Sequence, residues 1–272
     1  MGNGIAQVAA QNGLSTQLFD VNKEALEKAA NTIQKNLEWL VNKEKLSTDA
    51  ASNIFEQIHF TSSIQTCKAE VFIEAIVEKA AAKTAVFNQL AAINSVESVF
   101  ASNTSSLSIS DLQAAIIHPE RVVGMHFFNP APIMKLVEVV KGNQTTDAVA
   151  QKIVDLCLQL KKTPVLCNDA PGFIVNRIAR HYYLEAMKIV ELGIASIENV
   201  DELMEASGFK MGPFKLMDLI GLDVNLAVSK SMYEAFHHAE RFAPSPLQEV
   251  KVAKGELGKK TGKGFYDHNS DE

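Results

Sequence analysis

The sequence predicts an α/β domain on a doubly wound parallel sheet over residues 1–169, followed by an all-α domain over residues 170–272. Three observations carry this prediction. Short apolar runs alternate with longer helical segments up to about Asp169, and polar groups collect where the apolar runs stop. Beyond Asp169 the strand signals largely vanish and helix starts and stops take over. A length of 272 residues is also natural for two domains.

The elements follow in order. Ile5-Ala6-Gln7-Val8-Ala9-Ala10 is a small-residue helix ending at Asn12-Gly13, and Ser15 to Asp20 is a strand with an acid at its end. Asn22 to Leu40 is a charged amphipathic helix, Ile58 to Thr61 a short strand, and Val71 to Ile76 an apolar strand. Ala80 to Ile93 is helical, and Ser98 to Ser102 is a buried strand leading to Asn103. Val122 to Phe128 is another buried strand, halted at Asn129-Pro130 because proline has no amide hydrogen for a ladder. Met134 to Val140 follows, and the turn containing Pro130 and Pro132 is short enough to bring Glu138 near His126. Asp169-Ala170-Pro171 starts a long helix by cap and N1 proline. Ser196, Asp223 and Ser245-Pro246 are further starts, with Gly208 and Gly255 as stops. In such a sheet ligands gather at the carboxyl ends of the strands, where Glu78, Ser105 and His126 fall.

Composition narrows the function classes. A hydrophobic share of 47% with 21% charged residues is ordinary globular composition, so neither disorder nor a fibrous chain is expected. The formal charge of -6 gives no general attraction for nucleic acid or anionic lipid, so neither is expected as a partner. Cys67, Cys157 and Cys167 are odd in number and lack Cys-x-x-Cys spacing. They suit reduced thiols in a cytoplasmic protein, and no metal site is expected. No apolar run approaches the roughly 18 residues that span a bilayer.

His126 is the best candidate base among seven histidines. Removing a hydroxyl proton near neutral pH suits a side chain whose ordinary pKa is about 6.5. The strand-end position separates it from His59 in a short strand, His118 beside Pro119, His181 in a helix, His237 and His238 at a helix end, and His268 in the tail. Glu138 alternates with Val137 and Val139 and points to the opposite face; if that face is buried, its charge needs a partner. An exposed strand glutamate is the alternative. Asp20 ends the strand after the Met1-Gly2-Asn3-Gly4 opening; behind a dinucleotide glycine loop such an acid accepts from an adenosine ribose and repels a 2'-phosphate, although strand-end aspartates equally often cap helices.

Ala101-Ser-Asn-Thr-Ser-Ser-Leu107, His126-Phe-Phe-Asn-Pro130 and Met134-Lys-Leu-Val-Glu-Val-Val140 resemble stretches of the L-3-hydroxyacyl-CoA dehydrogenases, including the 3-hydroxybutyryl-CoA type. Asp169-Ala-Pro-Gly-Phe-Ile-Val-Asn-Arg177, Met211-Gly-Pro-Phe214 and Gly258-Lys-Lys-Thr-Gly-Lys-Gly-Phe-Tyr266 extend the resemblance in family order. It implies a Rossmann-type first domain that binds NAD, a helical domain that serves the substrate and forms a homodimer, and an acyl-CoA substrate oxidised at C3. By the same resemblance Gly2 is the third glycine of the dinucleotide fingerprint. The first strand and first two glycines are then missing, and a fragment or mis-called start codon is expected, which leaves organelle targeting open.

The resemblance also distributes roles. His126, Glu138, Ser105 and Asn176 are implied at the chemistry: Ser105 at the junction of substrate and nicotinamide, and Asn176 donating to the thioester carbonyl. Asp20, Glu78, Lys83, Asn129 and Lys260 are implied as cofactor contacts beside Gly2, and Asn36 and Lys43 as coenzyme A contacts. Without it, Glu78 and Lys83 read as a surface pair, Asn176 as a solvated helix position, and the serines near Ser105 as turn and cap residues. The alternatives in function are a catalytically silent binding or structural protein on the same scaffold, and a dehydrogenase of free hydroxy acids.

Overall fold

A computed structural model describes residues 1–269. The chain divides into two compact units, Met1–Ala170 and Pro171–Glu272.

The first unit opens with helix α1, Gly2–Gln11, whose Ile5, Ala6, Val8, Ala9 and Ala10 are buried. Strand β1 (Thr16–Phe19) leads to α2 (Lys23–Asn42), which is N-capped by the Asn22 side chain. Helix α3 (Thr48–Glu56) and strand β2 (Ile58–Thr61) complete this part, with β2 parallel to β1. Strand β3 (Val71–Glu74), α4 (Ala80–Ile93), β4 (Val99–Ser102), the short α5 (Ile109–Gln113) and β5 (Val122–Phe127) follow. Strand β6 (Leu136–Lys141), α6 (Asp147–Gln159) and β7 (Thr163–Asn168) end the unit. Strands β3 to β7 form one sheet in sequential order, so that each new strand joins beside its predecessor. Its centre is dry: Ala101, Val123, Met125, Val137, Val139, Ile153 and Cys157 are buried together. Gly2 lies between the two sheets, since a Cβ built on it falls 3.7 Å from Leu18 of β1 and 4.0 Å from Ala75 just past β3.

The sheet is not wholly parallel, as the alternation suggested. β5 and β6 are antiparallel, and β7 runs parallel to β6. The cause is the short connection between Phe127 and Leu136, which reverses the chain where a parallel pair would need a crossover of a dozen or more residues.

The second unit is helical: α7 (Val175–Glu191), α8 (Ile197–Ala206), α9 (Pro213–Ile220), α10 (Leu222–Ala235) and α11 (Pro246–Ala253). Its core gathers Tyr183, Met187, Phe214, Met217 and Leu222. Ser196 and Ser245 cap α8 and α11 as expected. Asp223 lies in the first turn of α10, one residue inside the helix, and Gly221 is the N-cap residue there. Asp169 does not cap the first helix of this unit either. Its Oδ2 accepts from Ser108 Oγ at 2.7 Å and Ser110 N at 2.8 Å, tying the end of β7 to the start of α5. The chain then turns through Gly172 and Phe173 at φ 72° and 49°, so α7 begins only at Val175 and Asn176 sits in its first turn. His268 is no loose tail residue: its Nε2 lies 2.8 Å from buried Asp218, which also accepts the Phe265 and Tyr266 amides.

Candidate active site

His126 and Glu138 face each other directly in the β5–β6 ladder. Paired residues of antiparallel strands share a face with closely spaced Cβ atoms, so the register itself delivers the contact. His126 Nδ1 lies 2.8 Å from Glu138 Oε2, with the histidine 6% and the glutamate 1% exposed. That burial decides between the two readings of Glu138: it is the buried carboxylate in need of a partner, and the imidazole is one. An ionised carboxylate only accepts, so Nδ1 carries the hydrogen and Nε2 becomes the proton-accepting nitrogen of the ring. The Phe128 ring packs against the imidazole with centroids 4.6 Å apart.

The turn linking the two strands is pinned from below. Lys162, just before β7, donates to the carbonyls of Ala131 at 2.6 Å and Met134 at 2.8 Å. Burial pushes its pKa down, opposed by the nearby Cys157. Helix α1 presses on the same turn through Gly4, where a Cβ would come within 3.1 Å of Pro132 Cδ. The sequence offered no signal for Lys162, which sits in an ordinary Lys-Lys pair after a helix.

A second cluster lies past β3 and β4. Lys83, 1% exposed, sits between two carboxylates, with Nζ 2.8 Å from Glu74 Oε1 and 3.0 Å from Glu78 Oε2. Lys83 is thus no surface residue. Glu78 accepts from the amides of Ser105 at 3.1 Å and Ser106 at 3.3 Å, and from the Thr104 and Ser106 hydroxyls. Burial would raise the Glu78 pKa, but these hydrogen bonds and the Lys83 charge outweigh it and hold the carboxyl below the usual range. Ser105 therefore comes to lie in a segment anchored by Glu78. Asn103 Oδ1 accepts from the Phe127 amide at 2.9 Å, joining this segment to the strand of His126. Thr104, which the sequence suggests only as a turn or cap residue, bonds Glu78, and Glu74 carries no role in the sequence reading. The available signal for Glu74 was an acid inside the apolar run Val71-Phe72-Ile73, which no buried strand carries without a partner.

The other expected residues are more dispersed. Asp20 follows β1 and accepts from the Asn22 amide at 2.9 Å; the helix cap itself is Asn22. Asn36 lies on α2 and donates to buried Gln7 of α1 at 3.0 Å, while Lys43 is the exposed residue that ends α2. Asn129 is exposed beside a cis bond to Pro130. Asn176 and Lys260 belong to the second unit, where Lys260 pairs with Asp223. The residues present in the first unit fit a dinucleotide. In the first turn of α1 Gly2 carries no side chain and the Gly4 amide donates to Asn3 Oδ1 at 2.8 Å, and an acid, Asp20, follows the next strand. Among the described residues no cluster of His, Cys, Asp and Glu could hold a metal ion. No helix among them is long and apolar enough to cross a membrane.

Comparison with known proteins agrees with this geometry. Residues 1–170 match the family described as 3-hydroxyacyl-CoA dehydrogenase, NAD binding domain, and residues 172–268 match its C-terminal domain. The chain is 44% identical to a 3-hydroxyadipyl-CoA dehydrogenase of Escherichia coli over 98% of its own length and 57% of that protein. It is 42% identical to a probable 3-hydroxybutyryl-CoA dehydrogenase of Deinococcus radiodurans, over 98% of this chain and 96% of that one. A crystal structure of 3-hydroxybutyryl-CoA dehydrogenase from Escherichia coli superposes with a TM-score of 0.97 at 43% identity, covering all of this chain and 58% of that one. With both domains matched and the mixed sheet and helical unit shared, the chain belongs to the 3-hydroxyacyl-CoA dehydrogenase family and is an enzyme with NAD as its cofactor.

Proposed function

We propose that this chain oxidises an L-3-hydroxyacyl-CoA to the 3-oxoacyl-CoA, and runs the reverse reaction, with His126 as the base. The observation that carries this reading is the buried His126–Glu138 pair at the end of β5. His126 takes the C3 hydroxyl proton at Nε2, while Glu138 keeps the Nδ1 hydrogen in place and stabilises the imidazolium that forms. NAD, when bound, supplies the acceptor for the C3 hydride. Ser105 bonds the reacting oxygen and Asn176 the thioester carbonyl, roles that orient the substrate. Gly2, Asp20, Asn129 and Lys260 are assigned to the cofactor, together with Lys83 and Glu78. Asn36 and Lys43 are assigned to coenzyme A, whose anionic groups a lysine at the end of α2 suits.

The helical unit is assigned to a homodimer, for which exposed Ile178, Leu203, Leu219 and Val224 supply apolar surface. A cytoplasmic location accords with three cysteines that form no disulfide. The test is NADH oxidation with acetoacetyl-CoA, followed by longer 3-oxoacyl-CoA thioesters and by free acetoacetate. Turnover of the thioesters and not of the free acid is expected; a folded protein inactive on all thioesters would overturn the assignment.

A further inference from the structure

Resting on the dehydrogenase reading above, we infer that Glu74 is a positioning residue for that reaction, fixing the Thr104–Ser106 segment and hence Ser105 through Lys83 and Glu78. β4 ends at Ser102, and past Asn103, whose amide still donates to the Glu74 carbonyl at 2.8 Å, the amides of Thr104, Ser105 and Ser106 donate to side chains. Ser105 N and Ser106 N both donate to Glu78 Oε1, Thr104 N donates to Ser102 Oγ at 3.3 Å, and Leu107 N donates to Thr104 Oγ1 at 2.9 Å. One carboxylate, Glu78, and two hydroxyls, Ser102 and Thr104, thus hold amides of this segment.

Glu78 is a poor anchor by itself. Its side chain is 37% exposed, and a glutamate at that exposure ordinarily samples several rotamers. What restrains it is Lys83, whose ammonium is buried and unable to reorient toward water. What makes that buried ammonium tolerable is Glu74, whose side chain is 2% exposed. Glu74 accepts from Lys83 Nζ at 2.8 Å, from the Ile76 amide at 2.6 Å and from Ser102 Oγ at 2.8 Å. One buried carboxylate thus grips the residue that ends β4 directly, and grips the segment after it through a lysine and a second carboxylate. Neutralising Glu74 leaves the ammonium shared by one carboxylate only, draws Lys83 toward Glu78, and shifts the group to which the Ser105 amide is bonded.

Glu74→Gln in the full chain tests this, because it keeps the side-chain shape and removes the charge. A folded variant is expected to lose at least about tenfold in kcat with acetoacetyl-CoA, since small displacements of an orienting group carry costs of that order, while its KM for acetoacetyl-CoA stays within about twofold. Hydrogen exchange of the amides of Thr104 to Ser106 is expected to quicken by about tenfold as local opening becomes easier. Should Glu74→Gln not fold, Ser102→Ala carries the test; it removes a donor to Glu74 and also the acceptor of the Thr104 amide, so exchange is read at Ser105 and Ser106, with about a threefold loss in kcat and faster exchange expected there. Wild-type kcat together with wild-type exchange in a folded variant overturns the inference. So does a raised KM for NADH with kcat kept, which would place the cluster in cofactor binding alone. If the wild-type chain turns over no 3-oxoacyl-CoA, the dehydrogenase reading falls; exchange then decides the anchoring by Glu74, and unchanged rates overturn it.

Discussion

Replacing Glu138 by glutamine separates the charge of the buried pair from its shape. The carboxylate oxygen lies 2.8 Å from His126 Nδ1, and glutamine can still offer an oxygen there. At that distance and an effective dielectric of about 20, two full charges attract by about 6 kcal/mol. Both charges are spread over two atoms and a neutral hydrogen bond survives, so the imidazolium loses about half of this, roughly 3 kcal/mol. Because about 1.4 kcal/mol is tenfold in rate, kcat is expected to fall roughly 100-fold. KM is expected to change little, since the imidazolium forms only as the proton moves. If the amide turns its nitrogen toward Nδ1, the ring hydrogen moves to Nε2, the base is lost, and the fall grows to about 10⁴-fold. The assay is initial-rate NADH oxidation at saturating acetoacetyl-CoA, with circular dichroism to confirm folding. A folded Glu138→Gln enzyme with kcat within about threefold of wild type would refute the assignment of Glu138 to imidazolium stabilisation.

His126→Gln is expected to abolish most turnover yet keep NADH binding, read by fluorescence titration; lost binding instead would move His126 to the cofactor. Burial pushes Cys157 up to about 12 and Cys167 up to about 11, and raises Cys67 as well, so all three thiols should stay unreactive toward a disulfide reagent at pH 8 until the protein unfolds. Immediate reaction of one equivalent would contradict this. Glu78 has a lowered folded pKa, so its stabilising effect is present above the usual glutamate range and is lost as pH falls through the folded value. Amide exchange of Ser105 and Ser106, corrected for intrinsic rates, should accelerate in that acidic window and not near neutrality. Gly124→Ala should destabilise the chain by about 1–3 kcal/mol in urea unfolding, because overpacking displaces neighbours, and a Cβ there meets Val140 Cβ at 2.7 Å and Ile109 at 3.1 Å. An unchanged midpoint would show that β6 and α5 yield more easily than this packing suggests.

The strands and helices with plain periodicity were legible in the sequence. Ile58–Thr61 and Ala80–Ile93 come out with the expected ends, and the apolar runs at Val99 and Val122 are the buried centre of the sheet. Proline at 130 and the short turn after it were enough to bring His126 and Glu138 together. What escaped depends on partners distant in the chain. Asp169 has the local pattern of a helix cap, but Ser108 and Ser110, about sixty residues earlier, claim its carboxylate. Glu74 and Lys162 gain their meaning from burial, and burial of an isolated charge leaves no periodic trace. His268 looked like a tail residue because Asp218, which holds it, lies fifty positions away.

The direct cross-strand pairing of His126 with Glu138 has a mechanical consequence. The backbone ladder sets their register, so the two residues stay opposite each other for as long as β5 and β6 stay paired. A one-residue slip of that hairpin would turn one of the two residues to the opposite face and separate the pair. On the proposed role of the pair, heat or denaturant should abolish turnover in the same cooperative step that melts the sheet. Loops and helices that shape substrate preference can change without retuning this pair.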